Sequence, residues 1–359
     1  MQNINSKHFM FLIFGTSIVS LKTYPNLIVM LSGRDAWIAV AVASIFFFLY
    51  FLYLVEICLK TNNFNLIKIY KGALGNKIGF IFIVFYIITL FIALIECSSV
   101  EGSSVKNHLL INTPVWYNLL FFFLTTLFAI KKNMNALIIT CIVGLTFIFI
   151  AGINLAFLTI KYKDFKYIYP IMANGIDKNF ILSVIKALAL YSTIFITFPF
   201  LDYVEDKYLL KKNIIIALLI VIQMEIVSMH GLITTFGPNR SVDILYPKII
   251  QTQLVSMFHF LESGEFFVLL QIVGGWLIKY LIVSFSIMIL VKYFNYHNKN
   301  ILYIITAVLY IITFFISRNN MILFEFIQIL PWIYLVNFFI IPCIVFTIYY
   351  INYKFRRIK

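Results

Sequence analysis

Ten apolar runs of roughly 20 residues fill this chain, and a run of that length crosses a hydrocarbon core as a helix. They lie at about 9–30, 36–57, 78–97, 115–131, 136–160, 181–201, 213–236, 265–291, 300–317 and 327–351. Only a helix or a closed barrel satisfies its own backbone N–H and C=O groups in lipid, and runs this long predict helices. Composition agrees: 62% of the 359 residues are hydrophobic and 12% are charged, with a mean hydropathy of +0.98. Soluble domains carry about 25% charged residues. The predicted class is an all-α polytopic membrane protein, a single transmembrane domain with no soluble domain between its spans.

The loops are charged unequally. Of the 28 Lys and Arg residues, sixteen fall on the side of the termini, nine on the other side, and three (Lys22, Lys186, Lys279) inside spans. The positive-inside bias therefore places both termini in the cytoplasm. The opening stretch MQNINSKHFMFLIF runs directly into the first span without a small-residue cleavage site, so no cleavable signal peptide is expected. The net charge of +14 reads as an orienting charge against anionic headgroups, and no nucleic-acid module is visible. Cys58, Cys97, Cys141 and Cys343 are scattered without metal-ligand spacing, and the sequence implies no cofactor and no metal. The loop NFNLIKIYKGAL (63–74) sets Phe64, Ile67, Tyr70 and Leu74 on one face, which predicts a short amphipathic helix lying on the cytoplasmic surface.

Polar groups inside the spans carry the functional signal. Lys22, Glu225 and Lys279 lie nearest the bilayer middle, and each costs a few kcal/mol unless paired or hydrated. Glu225 is expected to pair with Lys22 or Lys279, either as a functional charge or as a lock on helix packing. Glu96 opens ECSSVEGSS at the outer end of span three, facing either a water-filled vestibule or solvent at a helix end.

Spans one and six are interrupted by polar segments. Span one contains GTSIVSLKTYP (15–25), and span six contains Tyr191, Ser192, Thr193 and Thr197 ahead of Pro199. Interruptions in corresponding helices of two halves point to a midplane binding site. A spacing of five spans fits a five-plus-five inverted repeat, the first about 9–160 and the second about 181–351. Half-helix ends expose N–H and C=O groups that can hold an amino acid's carboxylate and ammonium. The candidate ligand contacts are Ser17, Ser20, Lys22 and Thr23 in span one with Tyr191, Ser192, Thr193 and Thr197 in span six. Glu225, Lys279 and Glu96 form the candidate intramembrane charge network. The plainer reading is that the hydroxyls bond back to their own helices around ordinary proline kinks.

Several landmarks occur in an order that resembles the B subunit of bacterial endospore germinant receptors, within the amino acid–polyamine–organocation transporter superfamily. They are SGRDAWIAV (32–40), NTPVW (112–116), YPIMANG (169–175), FPFLDYVEDKYLLKK (198–212) and LYPKIIQTQLVSMFHFLESGEFFVLLQIVGGW (245–276). Within them, Asp35 is positioned to cap the second span and Trp37 to sit at the membrane interface. Pro199 precedes the lysine-rich turn, and Glu262 and Glu265 open span eight. The resemblance covers nearly the whole chain. It departs in span one, where Ile18, Val19 and Ser20 stand in place of a run of small residues.

The resemblance implies a nutrient sensor, chiefly for amino acids, in the spore inner membrane. Its implied partners are the A and C subunits of the receptor, and ligand binding would bias a conformational equilibrium that triggers germination. The alternative is a proton-coupled amino-acid or polyamine permease with Glu225 or Lys22 as the titrating group. An enzyme is not expected, because no paired catalytic acids share a loop.

Overall fold

The computed structural model describes residues 3–17, 19, 23–173, 175–255, 265–293 and 299–358. Among them, each of the ten apolar runs coincides with helical structure. Span one contains α1 (Ser6–Ser17) and α2 (Asn26–Ser32); of the residues between them Thr23 is helical, its N–H bonded to Val19 O at 2.9 Å, and the described chain leaves the helix at Tyr24 and Pro25. Thr16 and Ser17 donate their hydroxyls to carbonyls one turn back (Leu12, Ile13, Phe14), competing with continuation of the helix. Pro25 then starts α2 with a helical φ of −65°, which its ring fixes.

Span two is α3 (Ala36–Thr61), closed by Asn62 in the left-handed region at φ 50°, a usual helix stop. The short α4 (Leu66–Leu74) follows, with Asn65 Oδ1 accepting from the Lys68 N–H. Span three is α5 (Asn76–His108), span four α6 (Val115–Ile130) and span five α7 (Met134–Leu158). Span six is α8 (Lys178–Tyr191), continued by a 3-10 segment (Ser192–Tyr203) that contains Pro199. Span seven, α9 (Lys207–Asp243), kinks at Gly237 and Pro238. Beyond it lie a short α10 (Pro247–Gln253), then α11 (Glu265–Lys292) and α12 (Lys299–Ser317). Span ten combines α13 (Asn320–Tyr334), a π-helical turn (Leu335–Ile340) and α14 (Ile341–Ile358). By length and composition seven helical stretches among the described residues can cross a membrane, with two shorter apolar helices at Val115–Ile130 and Leu302–Ser317.

The expected end of span three and the expected setting of the loop helix need correction. Span three does not stop at residue 97: α5 runs on through ECSSVEGSS to His108. Ser98 donates to the Leu94 carbonyl and hydrogen-bonds Thr313 of α12 at 2.9 Å. Ser103 and Ser104 likewise donate within the bundle, to Asn320 Oδ1 and Glu101 O, whereas the Ser99 hydroxyl is buried without a partner among the described residues. The amphipathic helix forms where expected, but it does not lie open on a surface. Phe64, Ile67 and Tyr70 are buried, and α4 packs between α5 and α14.

The two broken spans meet. α1 packs on the 3-10 segment and on α9, while α2 packs on α8. α11 is the central helix, set against α5, α7 and the 3-10 segment, with Trp276, Lys279 and Ile282 fully buried. At the end carrying the termini, Ile4 exchanges backbone hydrogen bonds with Tyr203 and Glu205, each 2.9 Å. Ser6 Oγ donates to Asp206 at 2.6 Å and accepts from Asn213 at 2.6 Å.

At the opposite end Asp35 does not cap α3. Its Oδ1 accepts from the Met172 N–H at 2.9 Å, and Arg34 donates to the Tyr169 carbonyl. Two landmark motifs, 32–40 and 169–175, are therefore one structural unit. Trp37 packs edge-on against His230 of α9 at 5.9 Å.

Candidate functional site

The break in span one abuts a buried ion pair. Glu96 of α5 and Lys279 of α11 meet at 2.8 Å, both with 0% side-chain exposure. Tyr334 of α13 donates to Glu96 Oε2 at 2.8 Å, and Tyr24, at the end of the span-one break, donates to Glu96 Oε1. The Lys279 ammonium lies over the Trp276 ring at 4.9 Å, and Trp276 stacks on Tyr24 at 6.2 Å and 22°. One carboxylate thereby joins spans one, three, eight and ten.

The chemistry is closed. A buried carboxylate is tolerated when its charge is balanced and its lone pairs are filled, and here an ammonium and two phenols do both. The hydroxyls are charge-assisted donors, stronger than neutral ones. Glu225 is expected to pair with Lys22, which lies outside the described residues, or with Lys279. Lys279 forms an ion pair with Glu96, because α5 continues past the polar stretch and carries Glu96 into the bundle.

Glu225 of α9 is buried as well, and Tyr191, the last residue of α8, lies within range of its charge. Tyr191 stacks on Phe47 at 5.8 Å and 16°. Ser192, Thr193 and Thr197 are all at 0% exposure. Each donates to a carbonyl of its own segment at 2.6–2.8 Å (Ala189, Leu190 and Ile194). Ser17 behaves alike, whereas Thr23 both bonds Val19 O at 2.7 Å and lines a cavity. Ser20, Lys22 and Glu262 lie outside the described residues. Glu265 opens α11, and Pro199 borders a small pocket of about 210 Å³ beside α4.

Three polar atoms near the breaks are buried without a protein hydrogen-bond partner: Asn26 Oδ1 at the start of α2, Tyr191 Oη at the end of α8, and Trp276 Nε1. Buried polar atoms left unpaired are exceptional and require a cause. Tyr24, Tyr334 and Trp276 were not singled out from sequence. Hydropathy counts all three as membrane-compatible, so no charge or small-residue anomaly marked them.

This geometry is that of a helical membrane protein with two interrupted spans packed together around buried charge. The chain belongs to the spore germination protein family, whose model matches residues 3–322. It is similar to spore germination protein XB of Bacillus anthracis, 22% identical over 258 residues, 71% of each chain.

Proposed function

We propose that the protein is the nutrient-sensing subunit of a spore germinant receptor, with amino acids as the ligand class and A-type and C-type subunits as partners. It acts in the spore inner membrane with both termini in the cytoplasm. The observation that carries this reading is the set of unpaired polar atoms at the two breaks, Asn26 Oδ1 and Tyr191 Oη. They belong to spans that pack directly on each other. Ligand contacts are Ser17, Ser20, Lys22 and Thr23 on one side and Tyr191, Ser192, Thr193 and Thr197 on the other.

Because the span-six hydroxyls are bonded to their own backbone, a ligand engages them only by prying α8 and the 3-10 segment from span one. Tyr24 transmits that motion: any shift of the break pulls on Glu96, and through it on α11 and α13. Binding therefore biases an equilibrium between two arrangements of the bundle. The inverted repeat, about 9–160 and 181–351, supplies the two halves that rock against each other.

The test is deletion of the gene in its spore former, followed by a panel of single-nutrient germination assays. Loss of one nutrient response with growth-phase uptake intact is expected. Loss of uptake with every germination response intact would identify a permease instead.

A further inference from the structure

Span ten presents polar groups on its outer face. In α13, Leu323, Ile327, Leu330 and Tyr334 are buried, and their steps of three and four residues mark one side of a helix. That side packs on α5, α8 and α12. A second stripe with the same steps, Met321, Glu325, Gln328, Trp332 and Val336, is exposed along its whole length. The two stripes are offset by two positions, about 200° round the helix, so the second one faces away from the bundle.

Glu325 and Gln328 lie inside the apolar belt rather than at its rim. Met321 and Ile322, about a turn nearer the start of α13, are exposed and apolar. So is Phe315 at the adjoining end of α12. The apolar surface therefore continues past Glu325 to the hairpin at Arg318 and Asn319. Neither Glu325 nor Gln328 makes a hydrogen bond or an ion pair among the described residues. Polar groups turned to lipid are costly, and those kept within spans are answered by another helix.

We infer that Glu325, Gln328 and Trp332 form a docking face for a membrane-spanning helix of a second protein, one that sets a Lys or Arg side chain against Glu325. Charge complementarity defines this occupant: an opposite charge answers the acid, and the Gln328 amide takes either a donor or an acceptor. Trp332 supplies an aromatic anchor, the residue type most enriched where interfaces concentrate their energy. A second copy related by a two-fold axis would set Glu325 against Glu325, like charge on like. On the inner side of the same helix, Tyr334 follows two positions after Trp332 and donates to Glu96 at 2.8 Å. Pro331 and the π-helical turn Leu335–Ile340 interrupt regular helix bonding at that level, where helices bend most readily. A partner that shifts α13 therefore pulls on the Glu96–Lys279 pair. The inference does not rest on the nutrient-sensor reading.

The test places the photo-crosslinker p-benzoylphenylalanine at Ile329, beside the stripe, in the full chain expressed in its own cells. Ile45 of α3 is the comparison position, and both residues are exposed. The expected product at Ile329, absent at Ile45, is one membrane protein with a Lys or Arg inside a span. Its co-purification with the chain should fall at least about tenfold in Glu325→Lys and by a smaller factor in the near-isosteric Glu325→Gln. Exchanging the partner's base for Glu should restore it in Glu325→Lys. Adducts with lipid alone or with a second copy of this chain, a partner without a base in its spans, undiminished co-purification in both variants, or no rescue by the reversed pair overturns the inference.

Discussion

At the scale of single residues, Glu96 holds more of the molecule together than any other charge among the described residues. Removing one member of a buried pair leaves the other unbalanced, at a cost of about 3–5 kcal/mol. Glu96→Gln and Lys279→Met are each expected to lower the thermal unfolding midpoint of the purified protein sharply. The double variant should lose less than the two singles added together. A double variant as damaged as that sum would show that the two charges do not depend on each other. Tyr24→Phe and Tyr334→Phe each remove a donor to a charged acceptor and should cost about 1.5–3 kcal/mol. The sequence marked Lys279 readily, since a lysine inside an apolar run is an anomaly. Its acid was misjudged because Glu96 adjoins serines and glycine, and such composition imitates the end of a helix. The phenols were invisible for a different reason: tyrosine counts as apolar until its partner is known.

At the scale of elements, local chemistry decides where helices stop. Asn65, Asn133, Asp177 and Asn319 each accept a backbone N–H at a helix start; spans five and six were placed within a turn of such caps, whereas span ten, expected from about 327, starts two turns earlier at Asn320. Asp35 shows where such reading fails. It stands at the start of α3 with the right residue type, yet its carboxylate reaches across the fold to Met172. Capping is a local inference, and a long-range hydrogen bond overrides it. Asp35→Ala should therefore leave helix content unchanged while freeing residues 169–173, read as faster proteolysis of that loop in otherwise folded protein. Unchanged cleavage would show that Arg34 alone holds the loop. The two interruptions were legible from Ser, Thr and Pro inside apolar runs. What they line was not, because a hydroxyl that bonds its own backbone has the same sequence signature as one awaiting a ligand.

At the scale of the whole molecule, the all-α polytopic class and the order of the apolar helices were legible, because hydrophobic length is a property of each segment alone; among the described residues seven helical stretches are long and apolar enough to cross a membrane. The bundle's wiring was not legible, because it depends on which helix α11 packs against. Orientation remains a matter of loop charge. Reporter fusions that are active only in the cytoplasm should work at the end beginning with Ile4 and at the end following α14, and should fail when inserted between residues 163 and 169. The reverse pattern would invert the topology.

The hydrogen bonds between Ile4 and the Tyr203–Glu205 stretch carry a consequence for assembly. Ser6 and its partner Asp206 are 200 residues apart in the chain. A ribosome adds about 5–20 residues per second, so that interval lasts on the order of 10–40 s. Until span six has been made, α1 lacks both the 3-10 segment and α9, the surfaces that cover it in the finished bundle. A helix made some 200 residues before its partners therefore waits for them before it reaches its final place. A truncated chain ending before residue 203 would present that helix, unmated, to the lipid and to membrane quality-control proteases.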